Sequence, residues 1–256
     1  SHFAALEALI NGPQSYVTVT LPDGYDSRRF ASIIERELEI DSTKIVALVA
    51  DSAFIHELGI KAPTLEGFLY PETYQFTFGI NAKQVLRTLV NQFKKTAPDS
   101  LWAAAAAKGW DRVDVLALAS IIEGEAMVYS EMPTISSVYH NRLNIGMRLQ
   151  ADPTIQYIIP DGPRRLLHRD LRIDSPYNTY KYKGLPPGPI NNPGIKAIRA
   201  AIYPANTKYI YFVANGDGTH SFSVSYNEHL RAKSRFDNIR RQVEQEKRQK
   251  EVNEQR

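Results

Sequence analysis

The hydrophobic and polar positions along the chain predict short extended segments towards both ends and helices between them. Residues 16–21 (YVTVTL) alternate as a half-buried β-strand does, and a Pro-Asp-Gly turn follows. Residues 209–214 (YIYFVA) and 220–224 (HSFSV) flank Asn-Gly-Asp-Gly, which is a strong hairpin signal. The strands therefore account for only a small part of the chain.

Helices are predicted where apolar residues recur at intervals of three or four. The predicted helices cover residues 3–11 (the end of a helix), 27–38, 42–51, 82–96, 101–108, 112–127, 132–144, 193–201 and the charged tail from residue 227 onward. Asp41 or Ser42 and Asp111 are expected to be N-caps, and Asp152-Pro153 reads as a further helix start. Residues 65–74 are aromatic and rich in turn-forming residues.

This order of elements predicts an α+β fold with a helical core, a small antiparallel sheet and a smaller N-terminal α/β subdomain. We expect the N-terminal subdomain to span residues 3–74. The core domain is then residues 75–256 and ends in the charged helix. A doubly wound sheet is not expected, because strands do not alternate with helices throughout the chain.

Composition and charge exclude several classes of protein. The absence of cysteine excludes disulfide bonds, thiolate zinc sites and a cysteine nucleophile. The most apolar stretch, residues 113–128, contains three acidic residues and is shorter than the roughly 20 apolar residues of a membrane span. The net charge of +3 comes from the tail beyond Arg231, so the body of the chain lacks the basic surface of a nucleic-acid-binding protein. No HExxH, phosphate-loop or dinucleotide motif is present, and neither a metal nor a cofactor is expected.

Two glutamates in the apolar helix 112–127 are the clearest sign of chemistry. Glu123 and Glu125 occupy positions where the helical spacing calls for core residues. Apolar surroundings raise the pKa of a carboxyl and keep it protonated near neutral pH, as a general acid requires. From spacing alone, the alternative is that one or both face solvent or pair with a cation such as Arg142. Gly124 costs a helix about 1 kcal/mol relative to alanine, which indicates a helix end or a close approach of substrate or backbone.

Two further features fit a carbohydrate substrate without requiring one. Hydrolysing glycosidases use two carboxylates that flank the bond, and Asp152 is a candidate partner for Glu123. Residues 162–194 are dense in Pro, Gly, Asn and Tyr, and sugars suit such a surface of rings and amides. A structural loop or a proline-rich peptide ligand explains the same composition.

A series of short motifs runs in order through most of the chain. They are residues 65–74 (LEGFLYPETY), 117–125 (ALASIIEGE), 141–143 (NRL), 146–150 (GMRLQ), 152–154 (DPT), 177–180 (YNTY), 184–190 (GLPPGPI), 204–205 (PA), 209–214 (YIYFVA) and 220–222 (HSF). The series resembles the YceG-like family of endolytic murein transglycosylases, over about residues 16–229. Several separated motifs in order are far more specific than any one of them.

The resemblance implies a lyase that cuts peptidoglycan glycan strands between N-acetylmuramic acid and N-acetylglucosamine and terminates nascent strands. It implies that Glu123, the first glutamate of the SIIEGE stretch, protonates the leaving oxygen and then accepts the proton of the muramic C6 hydroxyl. That hydroxyl attacks C1 and leaves a 1,6-anhydro end, so no second carboxylate is needed. Glu125, Gln150, Asn178 and Tyr180 match family motif positions and are expected to bind substrate.

The resemblance also sets the expected partners and location. Glycan strands are the expected partner, peptidoglycan synthases are candidate partners, and the expected location is the extracytoplasmic face of the bacterial cell membrane. Family members typically carry an N-terminal membrane helix and a LysM-like module. Residues 3–11 are expected to be the end of such a module, and membrane contact is expected only through a helix outside this chain. A hydrolase that uses Glu123 and Asp152, and a non-catalytic glycan-binding scaffold, remain as alternatives.

Overall fold

A computed structural model describes residues 16–160 and 162–254. The strands are β1 (Tyr16–Thr20), β2 (Thr73–Thr77), β3 (Tyr211–Ala214) and β4 (His220–Ser223). The helices are α1 (Ser27–Leu38), α2 (Ser42–Val49), α3 (Ser52–Glu57), α4 (Ala82–Thr96), α5 (Asp99–Ala106), α6 (Arg112–Glu125), α7 (Met132–Asn144), α8 (Asp152–Ile158), α9 (Ile195–Ile202) and α10 (Tyr226–Glu254). The helix end predicted at residues 3–11 lies outside the described residues.

The strands form two separate antiparallel pairs. β1 pairs with β2, with Tyr16 opposite Thr77 and Thr20 opposite Thr73. β3 and β4 form the hairpin that the sequence predicts, joined across Asn-Gly-Asp-Gly. The α+β class is confirmed. β2 lies at the end of a segment whose sequence indicates turns, so the prediction missed this strand.

The predicted helices correspond closely to those of the structure. The bounds of α1, α4 and α7 agree with the prediction, and α4 begins at a capping box of Asn81 and Gln84. Asp41 is the N-cap of α2, where it accepts a hydrogen bond from the backbone of Thr43. The short helix α3 was not predicted. α5 begins at Asp99, two residues before the predicted start.

Helix α6 is the central element of the fold. Asp111 and Asp114 form its capping box, so the predicted N-cap is confirmed. Every residue from 115 to 122 is buried, because α5, α7, α8 and α9 all contact this helix. The helix ends at Glu125, as Ala126 takes an extended conformation. Its last turn therefore lies at the edge of the core, where Glu123 and Glu125 are half-buried.

One hydrophobic core joins the N-terminal elements to the later helices, running from Val19 in β1 to Ile202 at the end of α9. The subdomain boundary predicted between residues 74 and 75 falls inside β2. Over the described residues, no helix combines the length and the apolar character that a membrane span requires.

Candidate active site

The two glutamates at the end of α6 face different cavities. Glu125 lies where a cavity of about 320 Å³ meets a groove of about 510 Å³. Glu123 lies in a pocket of about 80 Å³ that shares no lining residue with the other two. Residues two apart on an α-helix project roughly 200° apart around its axis. The packing on either side of α6 therefore gives the two carboxyls separate surroundings.

Glu125 has the properties of a carboxyl that exchanges protons near neutral pH. It is half-buried, and its Oε1 accepts a hydrogen bond of 2.9 Å from the hydroxyl of Tyr139. Its pKa is raised to about 7: burial is the largest cause, the Tyr139 hydrogen bond opposes it, and the nearby charge of Asp152 acts in the same direction as burial. A group with a pKa near the working pH is suited to donate a proton and then take one back.

Arg142 does not form the ion pair considered as an alternative for the glutamates. Its guanidinium is buried and donates to the carbonyl oxygens of Leu149 and Ile210, the latter at 2.8 Å. It also lies over the ring of Tyr211, 5.7 Å from the ring centre. Arg142 therefore ties the GMRLQ segment to the β3 hairpin beside Glu125, and its charge lowers the pKa of Glu125 only as a smaller contribution.

The 510 Å³ groove, named here the Tyr180 groove, brings three predicted site residues together. Glu125, Gln150 and Tyr180 line it, together with Asp152. The Tyr180 hydroxyl donates to Oδ1 of Asp152. Residues of the β3–β4 hairpin and of the start of α10 line the groove as well. The volume lies within the range of roughly 300–1,000 Å³ that small-molecule sites occupy.

Gln150 occupies an unusual backbone position in the groove. Its φ angle is +51°, a left-handed conformation that is uncommon for residues other than glycine. Its backbone N–H donates to the carbonyl of Thr179 at 3.1 Å, and its side chain is exposed. Sparsely populated backbone conformations concentrate at functional sites, where the surrounding structure holds them.

Asn178 is placed differently from the prediction that it contacts substrate. Its side chain is fully buried, and its amide nitrogen donates to the carbonyl oxygens of Leu171 and Ile173 at 3.1 and 2.7 Å. Its side-chain oxygen accepts the backbone N–H of Tyr180 at 2.9 Å. With its amide engaged in this way, Asn178 holds the loop that carries Tyr180 and does not line the groove.

The 320 Å³ cavity lies on the other side of Glu125 and is named here the Arg29 cavity. Arg29 and Asp26 from the start of α1 line it, as do Gln156 and Tyr157 from α8. Pro153 closes one side by packing against Gly124, where a Cβ added to the glycine would lie 2.8 Å from the proline Cβ. Of the two alternatives predicted at Gly124, the helix end is the one observed, since α6 ends at Glu125; the group that approaches Gly124 closely is the side chain of Pro153.

Glu123 occupies a small pocket with its own charged neighbours. Its Oε2 accepts the backbone N–H of Gly194 at 3.0 Å, just before α9. Its pKa is raised to about 7: burial is the largest cause, that hydrogen bond opposes it, and the charge of Asp23 acts in the same direction as burial. Lys196 lies in the same pocket, with its Nζ 3.8 Å from the ring centre of Tyr129. The structure thus places Glu123 apart from Gln150 and Tyr180.

Asp152 lies beside Glu125 in both larger cavities, and so the structure does not pair it with Glu123. Two further residues of the site, Arg29 and Tyr139, were not predicted from the sequence. Tyr139 looks like an ordinary core residue of an amphipathic helix, and Arg29 looks like a surface residue of α1. Only the tertiary packing brings them to Glu125.

Comparison with protein families agrees with the series of motifs. A model of the YceG-like family matches residues 1–235. The 2.6 Å crystal structure of a yceG-like protein from Listeria monocytogenes superposes with a TM-score of 0.78 at 30% identity, covering 90% of this chain and 80% of that one.

Two curated relatives bear the name endolytic murein transglycosylase. The Bacillus subtilis (strain 168) protein is 33% identical over 252 residues, which cover 91% of this chain and 69% of the relative. The Streptococcus pneumoniae serotype 2 protein is 29% identical over 226 residues, which cover 77% of this chain and 40% of the relative.

Proposed function

Because the chain belongs to the YceG-like family, we propose that it is a lyase, an endolytic murein transglycosylase that cuts peptidoglycan glycan strands. The observation that carries the proposal is the position of Glu125, a half-buried carboxyl with a pKa of about 7 at the junction of two cavities. A polymer that lies across the junction presents one of its glycosidic bonds to Glu125, with sugar units on both sides. Cleavage within a strand needs such an open site.

The chemistry assigned to Glu125 has two proton transfers. The protonated carboxyl gives its proton to the oxygen that leaves C1 of N-acetylmuramic acid. The resulting carboxylate takes the proton of the C6 hydroxyl of the same sugar as that hydroxyl attacks C1. The products are a 1,6-anhydro end and a free 4-hydroxyl on N-acetylglucosamine, and no water is consumed. The carboxyl ends in its starting protonation state.

This proposal gives Glu125 the role that the motif resemblance assigns to Glu123. Gln150 and Tyr180 bind the glycan in the Tyr180 groove, and Asn178 positions Tyr180. Glu123 instead stabilises the segment before α9 through its hydrogen bond with Gly194. In the cell, the enzyme acts on nascent strands beside peptidoglycan synthases, on the outer side of the cytoplasmic membrane.

A pair of matched variants tests the assignment. Purified glycan strands are incubated with the wild type, Glu125→Gln or Glu123→Gln, and the products are analysed by mass spectrometry. We expect anhydro ends from the wild type and from Glu123→Gln, because glutamine can still accept the Gly194 hydrogen bond. Glu125→Gln should lose roughly 10²–10⁴-fold in rate, the usual contribution of a general acid.

Each other outcome has a definite meaning. Loss of activity in Glu123→Gln alone would return the catalytic role to Glu123. Reducing ends that incorporate water would indicate a hydrolase, with Asp152 as the second carboxylate beside Glu125. Binding of strands without any cleavage by the wild type would support a glycan-binding scaffold.

A further inference from the structure

We propose that the Arg29 cavity binds the anionic muramic acid residue whose C1–O bond is broken, and that the Arg29 guanidinium binds its carboxylate. The inference rests on the proposed function, since it places one sugar of the cleaved bond on a particular side of Glu125. It makes Arg29, a residue of the N-terminal part of the chain, a determinant of substrate specificity.

The side chain of Arg29 is available for an anionic ligand. It is half-buried and lines the cavity, and it forms no ion pair within the part of the chain that the structure describes. Its guanidinium carbon lies 5.2 Å from the ring centre of Tyr25. Removing a guanidinium partly from water without a carboxylate partner is unfavourable, so an anion that enters the cavity is favoured. The planar guanidinium also matches the geometry of a carboxylate.

Arg28, the residue before Arg29, differs from it in having a carboxylate partner. Arg28 is exposed and forms an ion pair of 3.1 Å with Asp26, the N-cap of α1. The other carboxylate oxygen of Asp26 accepts the backbone N–H of Arg29 at 2.9 Å. Both oxygens of Asp26 therefore have other partners, and among the described residues Asp26 forms no ion pair with the Arg29 side chain.

The remaining acids of the cavity accept hydrogen bonds from tyrosine hydroxyls and, within the described part of the chain, form no ion pair with Arg29. Glu125 accepts the Tyr139 hydroxyl, and Oδ1 of Asp152 accepts the Tyr180 hydroxyl from the groove side. Glu125 and Asp152 lie where the cavity meets the Tyr180 groove, whereas Arg29 lies on α1, close to Asp26. The cavity thus has, at its α1 side, a cation without a carboxylate partner among the residues that the structure describes and, at the junction, the proton donor Glu125 with Asp152 beside it.

The chemistry of the strand selects which sugar fits. N-acetylmuramic acid carries a lactyl carboxyl that is either free or extended by a peptide with its own carboxylates, whereas N-acetylglucosamine is neutral. An anion-binding cavity next to the acid therefore fits the muramic residue. The leaving N-acetylglucosamine then occupies the Tyr180 groove, and the polarity of the strand across Glu125 is fixed.

Binding measurements on the inactive Glu125→Gln protein separate this inference from the question of cleavage. The probes are glycan strands stripped of peptides, which carry free lactyl carboxylates, and the neutral hexamer of N-acetylglucosamine. In this background we expect Arg29→Gln to weaken binding of the stripped strands by about tenfold or more and to leave hexamer binding within about twofold. Arg29→Lys should restore part of the affinity, and high salt should reduce the difference.

Arg36→Gln is the matched control, since Arg36 lies on the same helix, is exposed and pairs with Glu37. It should bind both probes as the parent does. Equal binding of the stripped strands by Arg29→Gln, or equal weakening for both probes with an unchanged melting temperature, would overturn the inference. A wild type that forms no anhydro ends but shows Arg29-dependent binding would overturn the lyase proposal and leave the anion site standing.

Discussion

Tyr139 donates its hydroxyl hydrogen to Glu125 across 2.9 Å, from the buried face of α7 to the last residue of α6. Burial raises the pKa of Glu125 to about 7, and the Tyr139 hydrogen bond is the largest effect in the opposite direction. Tyr139 is itself fully buried, so the geometry of this contact is held by the core. This hydroxyl therefore lowers the pH range over which Glu125 keeps its proton, against the larger effect of burial.

Replacing Tyr139 by phenylalanine should shift the pH profile of cleavage. The change removes a donor that favours the carboxylate, so the pKa of Glu125 rises and the protonated acid persists to higher pH. In the wild type we expect kcat/KM to fall about tenfold per pH unit above pH 7. In Tyr139→Phe the falling limb should move to higher pH, as measured by release of anhydro ends between pH 5 and 9.

Tyr74→Phe is the control for that experiment. Tyr74 is also buried and donates its hydroxyl to a backbone carbonyl, that of Tyr70, away from Glu125. Its removal should lower stability without moving the profile. A falling limb at the same pH in Tyr139→Phe and the wild type would show that the limb does not report on Glu125.

Glu66→Gln should destabilise the fold. The buried carboxylate accepts the backbone N–H of Ser27 at 3.0 and 3.1 Å, the Ser27 hydroxyl at 2.7 Å and the amide of Asn192 at 2.9 Å. A glutamine amide would turn its NH₂ group towards one of these donors. Leaving a buried donor unpaired costs about 1–3 kcal/mol.

The measurement for Glu66 is thermal unfolding at pH 8, above its raised pKa of about 7, followed by circular dichroism. A loss of that size corresponds to a fall in melting temperature of roughly 2–4 °C per kcal/mol for a chain of this length. Glu57→Gln, at an exposed residue that pairs with Arg87, should change the melting temperature little. Equal melting temperatures for the Glu66 variant and the wild type would mean that Glu66 is protonated in the native state.

Thermal stability should fall as the pH rises from 6.5 to 8. Burial raises the pKa of Glu66, Glu123 and Glu125 to about 7 from a usual value of 4.5, so the native state binds more protons than the unfolded state between these values. Stability from such groups is complete below pH 4.5 and is lost as the pH rises through 7. Half-buried His140 has a lowered pKa and acts in the opposite direction, but its effect ends near pH 6.5.

Glu123→Gln provides the control for the pH dependence of stability, because it removes one of the three titrating groups. The melting temperature of the variant should fall less steeply between pH 6.5 and 8 than that of the wild type. Identical slopes would show that Glu123 does not titrate in this range.

Local patterns predicted the helices well, because their signals lie within a few residues. The bounds of α4 follow from its apolar periodicity and from the cap formed by Asn81 and Gln84. β2 was missed because its partner β1 lies more than fifty residues earlier in the chain, and a five-residue strand in an aromatic, turn-rich segment has no local signal of its own. α3 is too short, at six residues, to show a periodicity.

At the candidate site too, the sequence predicted only those features that have a local signal. Helical spacing indicated that Glu123 and Glu125 occur where core residues are expected, and both prove to be half-buried. It did not indicate which one faces the groove, because that depends on how α8, α9 and the β3–β4 hairpin pack around the end of α6. Arg29 had no local signal, since its importance comes from a cavity formed with residues more than a hundred positions later.

Gln150→Gly separates the backbone role of residue 150 from its side-chain role. At φ +51°, a side chain makes the backbone conformation unfavourable, and glycine removes that cost. The variant should therefore keep the wild-type melting temperature or exceed it. If the exposed amide of Gln150 binds the glycan, cleavage should nevertheless drop by about tenfold, mainly through KM. Glu39→Gly is the matched control: Glu39 has φ +57° at the end of α1, away from the groove, so activity should be unchanged. Full activity in Gln150→Gly would assign residue 150 a purely structural role.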